Sequence, residues 1–439
     1  MKRDIYQKLL QWKSSKQRKP LILRGARQVG KTYILKQFGQ HEYKNVVYIN
    51  FEEDPALDDF FRGRLVPEKI LANLSLYTGE NIEPGTTLLI FDEIQNSSHA
   101  LNSLKYFCED APEYHLAAAG SLIGLFLSGP KSFPVGKVNF LSLYPLTILE
   151  FLEAVGKPQL RNLIENTTDF SPYPKPFHNE LKELLRLYFF IGGMPEVVKH
   201  YIDTGDYSVV RNTQRDIIES YLLDFAKHGI TAAIPKINLI WNSIPSQLAK
   251  ENKKFVFSAV KKSARAREYE SALQWLEDAG LIYRSFQISN PKFPLKGYAN
   301  PQSFKVFLLD VGILGALANL HSGILLKGDE LFQEFKGAWV ENYVAQQLKS
   351  KTGISLFYWT STGKKAELDF LCEFETQIYP LEVKTGINPR SKSLQSYDRQ
   401  FGPPVLSRTT LLNLKKDGKV VNYPLYAIHL FPKLSSQMK

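Results

Sequence analysis

The 439-residue chain reads as an α/β protein with an N-terminal parallel sheet, a helical middle and a second α/β region at the C-terminus. Three observations predict this. Residues 1–150 alternate short, nearly continuous apolar runs with helical patterns, as a parallel sheet covered on both faces requires. From Glu180 to about Leu281 the apolar spacing is helical, as in Leu181, Leu184, Leu185 and Tyr188. After Phe304 helical and strand patterns mix again.

In the first region the expected strands are Leu21 to Arg24, Val46 to Phe51, Leu88 to Asp92, Leu116 to Gly120 and Val138 to Leu143. The Pro-, Ser- and Thr-rich stretch from Asn166 to Phe177 reads as an exposed connection. In the middle, Ser271 to Ala279 continues the helical theme, Gly280 stops it, and Leu281 to Ile288 alternates like a strand before the Asn290-Pro291 turn. Helix, helix, strand and turn is the order of a winged-helix module. Beyond it, a helix from Glu334 to Lys349 precedes strands near Leu356 to Trp359, Glu367 to Glu373 and Ile378 to Lys384. The expected domains are therefore 1–165, 178–300 and 301–439.

A composition of 44% hydrophobic and 23% charged residues excludes a largely disordered chain. No run of 18 apolar residues occurs, and no apolar segment follows the basic Met-Lys-Arg start, so neither a transmembrane helix nor a secretory signal is expected. Two distant cysteines, Cys108 and Cys372, exclude a disulfide framework or a cysteine-rich zinc site and suit a cytoplasmic protein. The net charge of +11 fits a polyanionic partner and a solvated basic surface equally well.

Gly25-Ala26-Arg27-Gln28-Val29-Gly30-Lys31-Thr32 fits G-x-x-x-x-G-K-[ST] without a mismatch, between the first strand and a helix expected over Thr32 to Gln40. Such a loop lets backbone N–H groups curl around phosphate oxygens, and the helix N-terminus adds a favourable field. Lys31 is expected to reach the β- and γ-phosphates of ATP, Thr32 to ligate Mg²⁺, and the adjoining Tyr33 to border the nucleotide. The apolar run Leu88 to Phe91 ends in Asp92, a further expected Mg²⁺ partner, and Glu93, which would polarise the attacking water. Val46 to Phe51 lies between the two motifs in sequence and is the expected strand between them in the sheet. Ser121, ending the next strand, reads equally as a γ-phosphate sensor and as a helix N-cap.

The segments RGARQVGKT, LLIFDEIQ, AAAGSLIGLFL, FPVGKVNFLSLYPLTILEFL and YFFIGGMPEVV resemble a widespread prokaryotic family of AAA+-like ATPases with an uncharacterised C-terminal domain. The resemblance implies an additional-strand P-loop sheet, ATP binding and hydrolysis. No arginine after Ser121 fits a trans-acting finger; Lys137 is the nearest cation, with Arg161 and Arg186 as alternatives.

Lys253 to Arg267 carries six cations (Lys253, Lys254, Lys261, Lys262, Arg265, Arg267) and no acid, which suits either a nucleic-acid backbone or a solvated face. Further on, Asp369 lies on one strand and Glu382-Val-Lys384 on the next, with Glu382 and Lys384 on one face. With Glu341 on the preceding helix, this resembles the PD-(D/E)xK nuclease core. That resemblance implies a restriction-endonuclease-like domain in which Asp369 and Glu382 hold Mg²⁺ or Mn²⁺, Lys384 stabilises developing charge, Glu341 adds an acid and Gln395 supports the site.

The combined reading is an ATP-hydrolysing P-loop domain joined through a helical or winged-helix region to a nuclease-like domain that cuts or binds DNA. The alternative is a nucleotide-gated switch that binds DNA or a protein partner through a catalytically silent nuclease-like domain. ATP and DNA are the expected partners, self-association stays open, and no membrane is expected.

Overall fold

The computed structural model describes residues 1–121, 134–228, 233–250, 254–261, 265–324, 337–351, 354–361, 363, 366–385 and 391–437. The chain divides into two compact units, one of residues 2–144 and 278–280, the other of 145–277 and 281–439.

The N-terminal unit starts with α1 (Ile5–Ser14), followed by β1 (Leu21–Gly25), α2 (Lys31–Glu42), β2 (Asn45–Asn50), α3 (Pro67–Thr78), β3 (Thr87–Asp92), α4 (Ser98–Asp110), β4 (His115–Ser121) and β5 (Asn139–Ser142). The strands form a five-stranded sheet in the order β2-β3-β4-β1-β5, every pair parallel. The near-continuous apolar runs have the expected cause: β3 is buried along its whole length. Phe51, Phe61 and Phe91 meet edge to face in the core beside it, with Phe51 and Phe61 centroids 5.5 Å apart. A strand does separate β1 from β3, but it is β4. The strand expected there, Val46 to Phe51, instead forms the sheet edge, because β2 pairs with β3 alone.

The second unit begins with α5 (Ile148–Ala154), α6 (Pro158–Glu165), α7 (Lys175–Ile191), α8 (Pro195–Thr204), α9 (Tyr207–His228), α10 (Ile234–Leu248), α11 (Phe257–Val260) and α12 (Ala266–Asp278). It continues through β6 (Ile282–Ile288), β7 (Ala299–Leu308), α13 (Val311–Leu317), α14 (Ala338–Ser350), β8 (Phe357–Thr360), β9 (Glu367–Phe374), β10 (Gln377–Val383), α15 (Lys392–Phe401), β11 (Leu406–Thr410), β12 (Lys415–Asp417), β13 (Val420–Pro424) and α16 (Lys433–Ser436). Its eight-stranded mixed sheet has the order β12-β13-β11-β10-β9-β8-β6-β7.

Three features differ from the sequence reading. The boundary expected between 300 and 301 falls inside β7, which pairs antiparallel with β6. The strand expected in a winged-helix module, β6, also pairs with β8, so the hairpin is part of the large sheet. Residues 145–165, expected with the nucleotide-binding domain, group with the second unit. Gln347 of α14 accepts from the Ile148 N–H and donates to the Tyr188 hydroxyl, which in turn donates to the Leu146 carbonyl. The stretch expected as an exposed connection is pinned midway: Tyr173 is buried and exchanges backbone hydrogen bonds with the Asn413 side chain.

The Gly192-Gly193 pair gains a structural explanation. The buried Asp310 carboxylate accepts from the N–H groups of Gly193 (2.6 Å), Gly312 and Ile313, and from the Gln346 amide. Burial pushes its pKa above the ordinary aspartate value, against the pull of these donors. A Cβ on Gly192 would lie 2.1 Å from Asp310 Oδ1, and one on Gly193 would lie 2.2 Å from the Leu146 carbonyl oxygen. Gly193→Ala is expected to destabilise the second unit by about 2–3 kcal/mol, read from chemical denaturation, because the clash is with backbone that cannot swing aside.

In the N-terminal unit, burial and then the charges of Arg18 and Lys13 depress the His115 pKa from 6.5 to about 4. The ring packs by Trp12, and its Nδ1 lies 2.7 Å from the Tyr43 hydroxyl. The unfolded chain takes up this proton below pH 6.5 and the folded chain only near pH 4. The contribution is therefore complete above pH 6.5 and lost as the pH falls towards 4. Stability measured across that window is expected to fall, and His115→Gln is expected to make the fall shallower.

Candidate functional sites

The first site lies at the C-terminal ends of β1 and β3. The turn from β1 into α2 places two residues at positive φ, Gln28 at 64° and Gly30 at 92°. This alternation turns successive N–H groups to one side and forms an anion-binding hollow. Gly25 leaves the strand where a Cβ would lie 2.3 Å from the Leu143 carbonyl oxygen, so the loop cannot begin with a larger residue. Lys31 is buried and its Nζ donates to the carbonyls of Gly25 (3.1 Å) and Ala26 (2.8 Å). Its ammonium is thus already held over the loop. Tyr33 is exposed at the rim.

Thr32, in the first turn of α2, donates to Asp92 Oδ2 at 2.7 Å, and Tyr48 of β2 donates to the same oxygen at 2.9 Å. Burial, then the Asp92 charge, raises the Tyr48 pKa and keeps it a hydroxyl donor. Asp92 Oδ1 accepts from the Glu93 N–H. Glu93 adopts a left-handed backbone at φ 49°, a conformation that costs a non-glycine residue about 1–2 kcal/mol. Gln95 donates to its carboxylate. Arg3, absent from the sequence reading, is buried and donates to the Val29 and Tyr144 carbonyls, bracing the loop from below. The backbone of Ser121 pairs with Gly25, which puts the end of β4 beside the loop.

The candidate finger cations are all occupied. Lys137 pairs with Glu109 (2.8 Å), Arg161 with Glu165 and Glu153, and Arg186 with Glu183.

The second site lies in the C-terminal sheet, on the face that α14 covers. Glu341 comes from α14, Glu367 and Asp369 from β9, Glu382 from β10, and Lys384 from the residue just beyond β10. Asp369 accepts from the Val383 N–H at 2.7 Å. Lys384 Nζ lies 2.7 Å from Glu382 Oε1. Burial raises the Glu382 pKa, opposed by Lys384 and by a hydrogen bond from Ser391, the N-cap of α15. Burial opposes the Lys384 charge, but the Glu382 carboxylate outweighs it and raises the pKa. Gln395 of α15 is exposed. Phe357, Tyr358 and Trp359 are buried in the core, as expected.

The sequence reading missed Lys305. It sits on β7, is 1% exposed, and its Nζ lies 2.6 Å from Glu367, 3.6 Å from Glu341 and 3.9 Å from Asp369. Burial opposes its charge, but the three acids together hold the ammonium above the ordinary lysine range. The available signal was a lone lysine inside the apolar run Phe304 to Leu309. Among the described residues, no group of three or more His, Cys, Asp or Glu side chains is arranged to hold a metal ion.

Of the basic stretch in the middle of the chain, Lys261, Arg265 and Arg267 are exposed, while Lys253 and Lys262 lie outside the described residues. Among the described residues no helix is long and apolar enough to cross a membrane.

Residues 17–152 match the family of the AAA domain. Residues 182–323 and 336–427 match two domains of unknown function, DUF8612 and DUF4143. No curated protein matches the chain. Similar solved structures include the Walker-type ATPase PABY2304 of Pyrococcus abyssi, at 14% identity, 72% of this chain, 95% of that chain and a TM-score of 0.47. They also include the Aeropyrum pernix ORC1 protein in complex with DNA, at 12% identity, 72% and 90% coverage and a TM-score of 0.29. The Thermotoga maritima RuvB Holliday junction branch migration motor aligns at 15% identity, 70% and 92% coverage and a TM-score of 0.33. The N-terminal part of the chain has an AAA+-type P-loop ATPase fold.

Proposed function

We propose that the N-terminal unit binds ATP with Mg²⁺ and hydrolyses it. The observation that carries this is the 2.7 Å hydrogen bond from Thr32 to Asp92 directly behind the phosphate-binding turn. It brings a hydroxyl and a carboxylate, both hard oxygen donors, to the place where a nucleotide's magnesium would sit, and so the donor set suits that ion. Bound there, Mg²⁺ would neutralise charge on the β- and γ-phosphates. Lys31 would leave the Gly25 and Ala26 carbonyls for phosphate oxygens. Gly25 to Thr32 would supply N–H donors, with Tyr33 at the edge and Ser121 at the γ-phosphate end. Glu93, freed from Gln95, would orient the water and take its proton.

Lys31→Ala is expected to abolish ATP binding or turnover. Glu93→Gln is expected to keep ATP bound while turnover falls by about 10²-fold or more. Wild-type turnover in Glu93→Gln would overturn the role given to Glu93.

For the second unit we propose a PD-(D/E)xK-like domain. The order α14-β8-β9-β10-α15-β11, with β10 antiparallel to β9 and parallel to β11, supports this reading. So does the convergence of Asp369, Glu382 and Lys384 with Glu341 nearby. Two uses of such a domain compete: metal-dependent cleavage of DNA, and nucleotide-gated binding of DNA or protein without cleavage. The Lys305 ammonium 2.6 Å from Glu367 favours the silent domain. The exposed cations Lys261, Arg265 and Arg267 would then contribute salt-sensitive DNA contact. With Mg²⁺ or Mn²⁺, linear, branched and single-stranded DNA are all expected to stay intact while salt-sensitive binding is retained. Metal-dependent nicking that Lys384→Ala removes would restore the nuclease reading.

A further inference from the structure

We infer that Lys305 is the resident cation of the C-terminal acid cluster and occupies the place a divalent metal would need. The inference rests on the PD-(D/E)xK-like reading of this unit and deepens its silent form. Lys305 is 1% exposed, so water cannot solvate its charge and carboxylates must. Three of them do, at 2.6, 3.6 and 3.9 Å, from α14 and β9.

Two of the oxygens a metal would use are engaged elsewhere, while Glu382 Oε2 is buried without a hydrogen-bond partner among the described residues. Asp369 Oδ2 accepts from the Val383 N–H, and Glu382 Oε1 is paired with Lys384. Mg²⁺ demands near-octahedral oxygens at about 2.0–2.1 Å. A dication among Glu341, Asp369 and Glu382 would face one ammonium across Asp369 and a second across Glu382. Two lysines (Lys305, Lys384) stand against four acids (Glu341, Glu367, Asp369, Glu382), so the cluster's own cations offset half of its carboxylates. Breaking a buried pair from one side leaves an uncompensated charge, so Lys305 also fixes how α14 packs over the sheet. The residues that resemble a hydrolytic centre here surround a buried lysine of the chain itself.

The test counts Mn²⁺ bound to the nucleotide-free full chain by electron paramagnetic resonance, comparing wild type with Asp369→Asn. The expected result is equal binding in both, which cancels any ion held at the phosphate loop. One Mn²⁺ bound by wild type and lost in Asp369→Asn overturns the inference. Lys305→Met is expected to lower Tm by several degrees, and an unchanged Tm also overturns it. If that variant does not fold, the Mn²⁺ count still decides. Mn²⁺ held at this cluster without DNA nicking sinks the inference and spares the silent reading. Nicking with no Mn²⁺ held there sinks the silent reading and spares the inference.

Discussion

The Asp92 carboxylate is the point on which the N-terminal unit turns. It sits at the end of a fully buried strand and binds three neighbours: the first turn of α2 through Thr32, the edge strand through Tyr48, and its own chain through the Glu93 N–H. A charge at that depth is tolerated only when hydrogen-bonded. The parallel sheet makes this possible, because all its strands end at the same edge and every following turn projects there. The strained Glu93 backbone follows from the same constraint. That turn of the chain gives the Asp92 carboxylate its Glu93 N–H donor.

The second unit handles buried charge differently. Asp310 is satisfied mostly by N–H groups and one amide, and the approach of those N–H groups is what the paired glycines permit. The Glu341, Glu367, Asp369 and Glu382 cluster is instead paired with two lysines, Lys305 and Lys384. One arrangement is neutral donors around an acid and the other is ion pairing. Both serve to join helices to the large sheet.

Much of the architecture was legible in the sequence. The phosphate loop, the acid-ended strand and the parallel class announced themselves because each depends on local order: glycine spacing, apolar continuity, a helix start. Strand pairing does not depend on local order. The sequence shows Val46 to Phe51 between the two motifs, yet β4 lies between them in space. The same limit hid Lys305. Glu382 and Lys384 are two residues apart and share a face by periodicity, whereas Lys305 reaches Glu367 only because β6 and β7 join the sheet. Linker composition misled for a related reason, since Tyr173 is buried through Asn413, far along the chain.

That sheet membership has a practical consequence for dissecting the protein. A fragment starting at residue 301 would begin inside β7 and lack β6, the strand that joins β7 to β8. The liberated flank of β8 would present bare N–H and C=O groups, an invitation to self-stacking. Failure of such a fragment to remain in solution would reflect where the scissors fell and would say nothing about the competence of the intact polypeptide.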